Sequence, residues 1–311
     1  MTSLAKTVVA TGLSSGLVSY QPPDTRYGTI LPTLTREQGF EVLKQLLERT
    51  TPYNVVIGVR DTKTTDDAVE KLQYDRAANA VTVLPVDLSD LKGVKTFAQQ
   101  ALDSVGQGKI DYLLLNAGMF KGAGGKGPHG SKWCEAAVVN HFSQHYLIHL
   151  LREKLVASHS RIVVVSSGAI RNVQDPATIE EKIRGGSGTD GYPVYASTKF
   201  IQLLGAHWWR RQLKGQCDVV AVSPGLVPNT GLGRGAGLQL PVDSPNAKTI
   251  PQGASSILEA LTRSDFPEDP DRIFLTSWGE WWEKDAIGKT VDRDLQDKWS
   301  PGKDELEKDV M

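Results

Sequence analysis

Short runs of β-branched and aliphatic residues alternate with longer amphipathic stretches along most of this chain, and that alternation constrains its fold more than any other feature. The runs are Thr7–Thr11, Asn54–Val59, Ala80–Pro85, Ile110–Asn116, Arg161–Ser166, Val219–Ser223 and Ile273–Leu275. Several, such as "YLLLN", "RIVVVSS" and "DVVAVSP", are apolar at successive positions instead of every second one. Strands of that kind are buried on both faces, the habit of a parallel sheet covered by helices on either side. Helical patterns occupy the intervals: Gly39–Arg49, Asp90–Ser104, Lys132–Leu155, Tyr192–Leu213 and Pro251–Arg263. The order predicts a doubly wound α/β fold of about seven parallel strands, with ligands at the strands' carboxyl ends. No repeat or linker divides the chain, so residues 1–311 read as a single Rossmann-type domain. Three stretches read as irregular, each on the ligand side: Val18–Gln38, Val173–Gly191 and Pro228–Ile250.

Composition excludes several partner classes. A formal charge of −1 with 23% charged residues provides no basic stripe for nucleic acid. No apolar run reaches the roughly 18 residues of a membrane span, and "MTSLAKTVVATG" enters a strand without a signal-peptide core. "KDEL" at Lys303–Leu306 is internal, whereas the retention signal is read at a C-terminus. Cys134 and Cys217 read as reduced core thiols. A cytoplasmic protein without a membrane span is the expectation.

"TGLSSG", directly after the first strand, has the spacing of a phosphate-binding turn, with Thr11, Gly12, Ser15 and Gly16 as candidate cofactor contacts. The second strand ends in "GVRD", where the adenosine ribose is read. An acid there accepts from a free 2′-hydroxyl, whereas an arginine pairs with a 2′-phosphate. Arg60 precedes Asp61, which favours NADP(H) over NAD(H). Asp87 and Leu88 of "DLSD", then Asn116, Ala117 and Gly118 of "NAG", are turns where the adenine and ribose would lie.

The sharpest signal is "YPVYASTK". Tyr195 and Lys199 are four apart on a helix and share a face. An ammonium beside a phenol favours phenolate, which would draw the Tyr195 pKa down from about 10 and make it a general acid or base. Ser167, in the "VVVSSG" that ends an earlier strand, could hold the substrate oxygen.

With "TGLSSG", "NAG", "VVN" (Asn140), "VSS" (Ser167), "YASTK" and "SPG" (Ser223–Gly225) in order, the chain resembles the short-chain dehydrogenase/reductase superfamily over roughly residues 5–285. The resemblance implies a catalytic tetrad of Asn140, Ser167, Tyr195 and Lys199. It further implies that Asn140 holds a proton-relay water through a helix kink and that Lys199 binds the nicotinamide ribose. Pro224, Gly225 and Thr230, in "SPGLVPNTGLGR", would line the cofactor. Ser167 and Tyr195 stand 28 residues apart, a long interval that with "GVRD" and "PGLVPNTGL" looks like the branch of retinol dehydrogenases and protochlorophyllide reductases. The expected activity is reduction of a carbonyl or oxidation of an alcohol. The alternatives are reduction of a C=C bond, or a catalytically silent scaffold or regulatory protein with an interrupted phosphate loop.

The substrate is a small molecule whose pocket Phe120–Lys132, Val173–Gly191 and Pro228–Ile250 would shape. His141, His145 and His149 recur every fourth residue without a spaced acidic or cysteine partner, and read as packed or interfacial histidines, with no metal site expected. "WGEWW" (Trp278–Trp282) reads as a wall of core and pocket. "HWWRRQL" could form a homodimer or homotetramer surface, as the helices around Lys132–Leu155 and Tyr192–Leu213 often do in that family, with a monomer the other reading.

The glycine loop departs from the family pattern. Removing the 21 residues Val18–Gln38, with Pro22, Pro23 and Pro32, leaves "TGLSSGLGFEVLKQLLE", a regular loop with Gly39 as its third glycine. Val18-Ser19 can be encoded GTA-AGT and Gln38 CAG, the ends of an intron. An in-frame intron retained in translation is one reading and a genuine lid the other. An insert that stays in the protein would weaken cofactor binding more than folding, because loop-closure entropy grows slowly with length.

Overall fold

The computed structural model describes residues 5–14, 38–228, 232 and 247–310. In chain order the elements are β1 (Lys6–Thr11), α1 (Gln38–Leu47), β2 (Tyr53–Val59), α2 (Thr62–Glu70), β3 (Ala80–Pro85), α3 (Leu91–Val105) and β4 (Tyr112–Leu115). Then follow α4 (Glu135–Ala137), a π-turn over Val138–Phe142, α5 (Ser143–Ser158), β5 (Arg161–Val165), α6 (Ile179–Lys182), α7 (Gly191–Gln212) and β6 (Asp218–Val222). α8 (Ile250–Thr262), β7 (Phe274–Leu275), α9 (Lys284–Ile287), α10 (Arg293–Lys298) and α11 (Lys303–Val310) complete the described chain.

All seven strands pair parallel in the order β3-β2-β1-β4-β5-β6-β7. The order reverses direction between β1 and β4, which opens the ligand crevice at their carboxyl ends. Successive strand residues enter opposite cores. Val8, Leu114, Val163 and Val220 pack with α1 and α8, whereas Val9, Leu113, Ile162 and Val219 pack with α3, α5 and α7. Continuous apolar strands are the sequence's answer to burial on both faces.

Helix starts are set by side-chain caps. Asp61, Asp90 and Thr249 accept from free amides at the N-termini of α2, α3 and α8, and Thr249 with Gln252 forms a reciprocal capping box. Three expectations change. The helix expected over Lys132–Leu155 begins only at Glu135, swells into the π-turn and runs to Ser158. The irregular Val173–Gly191 contains α6, held by buried Ile179 and Ile183. Gln38, expected to end the irregular stretch, is instead the first residue of α1, and its amide reaches the space that Gly253 leaves by lacking a Cβ. The rest of that stretch, and most of Pro228–Ile250, lie outside the described residues.

The C-terminal segment doubles back over α5 and α7. His141 bonds the Trp299 carbonyl at 2.6 Å, and His145 and His149 bond the Pro301 carbonyl at 3.1 and 3.2 Å. Trp209 donates to His145 Nδ1 at 2.9 Å, and Arg211 reaches Gln296 and Asp297. The histidines are therefore packed, and the "HWWRRQL" surface is met by this chain's own C-terminal segment. Among the described residues no helix is long and apolar enough to cross a membrane.

Candidate active site

β1 and β4 end side by side, and their loops interlock. The Asn116 amide donates to the Gly12 carbonyl at 3.0 Å, and the Ala117 amide donates to the Thr11 hydroxyl at 3.3 Å. Gly12 has a φ of 73°, and a Cβ there would sit 2.6 Å from the Ala117 Cα, so only glycine lets the two turns approach. Gly39 is buried in α1. Ser15, Gly16 and Thr230, expected cofactor contacts, lie outside the described residues.

At the end of β2, Asp61 directs its carboxylate to Thr64, accepting from the amide at 2.9 Å and the hydroxyl at 2.6 Å. These bonds hold Asp61 below the usual carboxylate range. Arg60 is exposed and makes no ion pair among the described residues. Asp87 is exposed and accepts from the Ser89 amide, and Leu88 beside it is buried. None of these four residues lines the cleft that holds Ser167 and Tyr195.

That cleft, about 1210 Å³, opens at the carboxyl ends of β5, β6 and β7. Ser167, Tyr195, Pro224 and Gly225 are on its walls with Phe120, Tyr192, Trp278, Trp281 and Trp282. Ser167 lies close enough to Tyr195 for its hydroxyl to favour the phenolate. Trp282 fits against Gly168, where a Cβ would stand 3.4 Å from its ring. The Phe120 and Tyr195 rings are tilted with centroids 5.4 Å apart.

Asn140 and Lys199 sit behind this wall. Asn140, fully buried in the π-turn, accepts from the Met119 amide at 2.8 Å. It donates to the Met119 carbonyl and the Thr198 hydroxyl, each at 2.9 Å. Its side chain thus locks the β4 loop to α7. The expected kink is present, and Gln144 donates to the Val139 and Asn140 carbonyls within it at 3.0 and 3.2 Å and to the Ala117 carbonyl of the β4 loop at 2.8 Å. Lys199 donates to the Val165 carbonyl at 2.8 Å and to Gln202 Oε1 at 3.0 Å. Gly118 leaves room for it, since a Cβ there would be 3.3 Å from Nζ.

The electrostatics reverse the sequence expectation. Burial pushes the Tyr195 phenol up to about 12 against the downward pull of Ser167, and burial brings Lys199 down to about 7. Nζ lies 5.9 Å from the Tyr195 ring centroid. Desolvation penalises whichever form is charged, so one buried group resists losing its proton and the other resists keeping it. Gln144 and Gln202 escaped the sequence reading, whereas Trp282 stands on the cleft wall as "WGEWW" was read. Gln202 stands one helical turn after Lys199, a spacing that could have found it.

The comparisons with known proteins agree with this architecture. A family model described as short chain dehydrogenase matches residues 39–178, starting at the first residue after Val18–Gln38. A short-chain dehydrogenase/reductase of Pestalotiopsis microspora is 52% identical over 308 residues, covering 98% of this chain and 99% of the relative. Retinol dehydrogenase 12 of Homo sapiens is 28% identical over 225 residues, 71% of this chain and 68% of that protein. Among solved structures, an NADPH-bound carbonyl reductase from chicken fatty liver shares the fold with a TM-score of 0.62 at 17% identity, covering 89% of this chain and 98% of that one. The chain belongs to the short-chain dehydrogenase/reductase family.

Proposed function

We propose that this protein is an NADP(H)-dependent oxidoreductase that reduces a carbonyl or oxidises an alcohol, with Tyr195 as the general acid/base. The observation that carries the reading is the pair of hydroxyls, Ser167 and Tyr195, together on the cleft wall with Lys199 buried behind them. The described residues fit a dinucleotide: Gly12 keeps the β1 turn free of a side chain, and Gly118 does the same beside Lys199. Arg60, without an ion pair among the described residues, could meet a 2′-phosphate, while Asp61 spends its carboxylate on Thr64. When bound, NADPH supplies the hydride. Ser167 would hold the substrate oxygen, and Tyr195 would give it a proton. A phenol held at about 12 is a proton donor at rest, which favours the reducing direction. Lys199 would bind the ribose and, while charged, support the phenolate that forms.

Tyr192 and Trp278 are the exposed large hydrophobic side chains among the described residues, 48% and 59% accessible, and both line the cleft. An aromatic carbonyl compound suits such walls. The C-terminal cover on α5 and α7 favours a monomer over a dimer built on that face. The test is NADPH oxidation with a panel of aromatic and aliphatic aldehydes and ketones, run on the wild type and Tyr195→Phe. Turnover by the wild type that Tyr195→Phe abolishes supports the reading; turnover retained in the variant overturns it.

A further inference from the structure

Lys199 is the buried cation of the site, and its polar surroundings are few. On its own helix it faces Tyr195, whose ring centroid is 5.9 Å away, and the amide oxygen of Gln202 at 3.0 Å. From β5 it meets only the Val165 carbonyl, at 2.8 Å. The loop after β4 presents Gly118, and the π-turn presents the uncharged Asn140. His141, the titratable group of that turn, is turned away toward Trp299. Among the described residues no carboxylate pairs with Lys199. Two carbonyl-type oxygens are what stabilises its charge.

One of those oxygens is held at a cost. Gln202 is 4% exposed, and its Nε2 is buried without a hydrogen-bond partner. An amide free to choose would satisfy both ends, since a buried unpaired donor is costly. Turning it over would aim its NH₂ at the ammonium, so Lys199 fixes the orientation. The same imbalance appears across the helix seam: Gln144, 2% exposed, commits its Nε2 to three carbonyls and leaves Oε1 without a partner.

We propose that Gln202 is a positioning residue for Lys199, holding the ammonium charged and aimed past Gly118. The proposal rests on the oxidoreductase reading for its purpose, not for its geometry. Replacing Gln202 by Met removes the oxygen at nearly constant volume and favours neutral Lys199. Gln202→Glu places a carboxylate there and favours the ammonium. Gln202→Asn withdraws the oxygen by one methylene and serves if Gln202→Met does not fold.

The test reads the Lys199 ionisation directly, by NMR titration of protein carrying ¹³C-lysine, with the Lys199 signal assigned by its loss in Lys199→Met. The same proteins are titrated with NADPH across pH. Gln202→Glu should move the Lys199 midpoint up by at least one pH unit, Gln202→Met or Gln202→Asn should move it down, and the pH limb of NADPH affinity should follow. Coincident midpoints in variants that melt cooperatively like the wild type would overturn the proposal. Midpoints that move as expected in a protein that binds no NADPH would uphold the positioning role and refute the oxidoreductase reading instead.

Discussion

The Asp61 carboxylate closes on Thr64, accepting from its amide at 2.9 Å and from its hydroxyl at 2.6 Å, and so caps α2. That bond changes the meaning of the neighbouring residue. An acid engaged in capping is a poor acceptor for a ribose hydroxyl, and Arg60, exposed at the strand end, makes no ion pair among the described residues. NADPH should therefore bind at least about tenfold more tightly than NADH, near 1.4 kcal/mol. Arg60→Asp should invert the order. Fluorescence titration with both cofactors decides it, and equal affinities in the wild type would refute the assignment.

Tyr195→Phe deletes the proton donor and little volume. NADPH affinity should persist while turnover falls by about 10² or more. With the phenol at about 12 and Lys199 at about 7, Tyr195 stays protonated across the ordinary assay range while Lys199 does not. Reduction should decline as pH rises through about 7, where the ammonium is lost. A flat profile from pH 6 to 9 would show that the charge on Lys199 is not needed.

The histidines under the C-terminal segment should set the acid limit of stability. Burial lowers His141, His149 and His207 to about 4 and His145 well below its ordinary value. The unfolded chain takes up protons near pH 6.5 and the folded one does not, so stability present above that pH is lost as pH falls from about 6.5 toward 4. For His141 alone the loss at pH 5 is about 2 kcal/mol. Urea melts at pH 7 and pH 5 measure it. His141→Gln, which keeps an uncharged donor for Trp299, should flatten the slope by about that amount.

Because the same segment lies over α5 and α7, the full chain should run as a monomer by light scattering. Ending the chain after Val291 removes α10 and α11 and bares His145, Trp209 and their apolar surroundings. The shortened protein should dimerise or aggregate. A full-length dimer would mean that another surface makes the contact.

Deleting Val18–Gln38 joins Leu17 to Gly39 and restores the short glycine loop. If the segment is a translated intron, the shortened protein should bind NADPH by orders of magnitude more tightly, as charge-assisted bonds of about 1.5–3 kcal/mol each are regained. A genuine lid instead predicts equal or weaker binding on deletion. Sequencing the spliced transcript gives an independent answer.

Much of this protein was legible before folding. The runs around "YLLLN", "RIVVVSS" and "DVVAVSP" declared a doubly covered parallel sheet because apolar periodicity records burial locally. Tyr195 and Lys199 declared a shared helix face for the same short-range reason. α2 stayed hidden, since "TKTT" is a weak helix former until Asp61 caps it. The kink at Asn140 was legible only through the family resemblance, because nothing in "VVNHF" itself displays the carbonyls that Gln144 engages from the following turn.

What the tertiary structure alone decided was the charge state of the site and the cover of α5 and α7. Spacing put an ammonium near a phenol and implied a lowered phenol pKa; burial of both reversed it, with Tyr195 raised and Lys199 lowered. Spacing also put three histidines in a row, and only the returning chain brought the Trp299 and Pro301 carbonyls that engage them. Periodicity carries which residues share a face. How much water each group loses depends on segments far away in the sequence, so it is settled only when they pack.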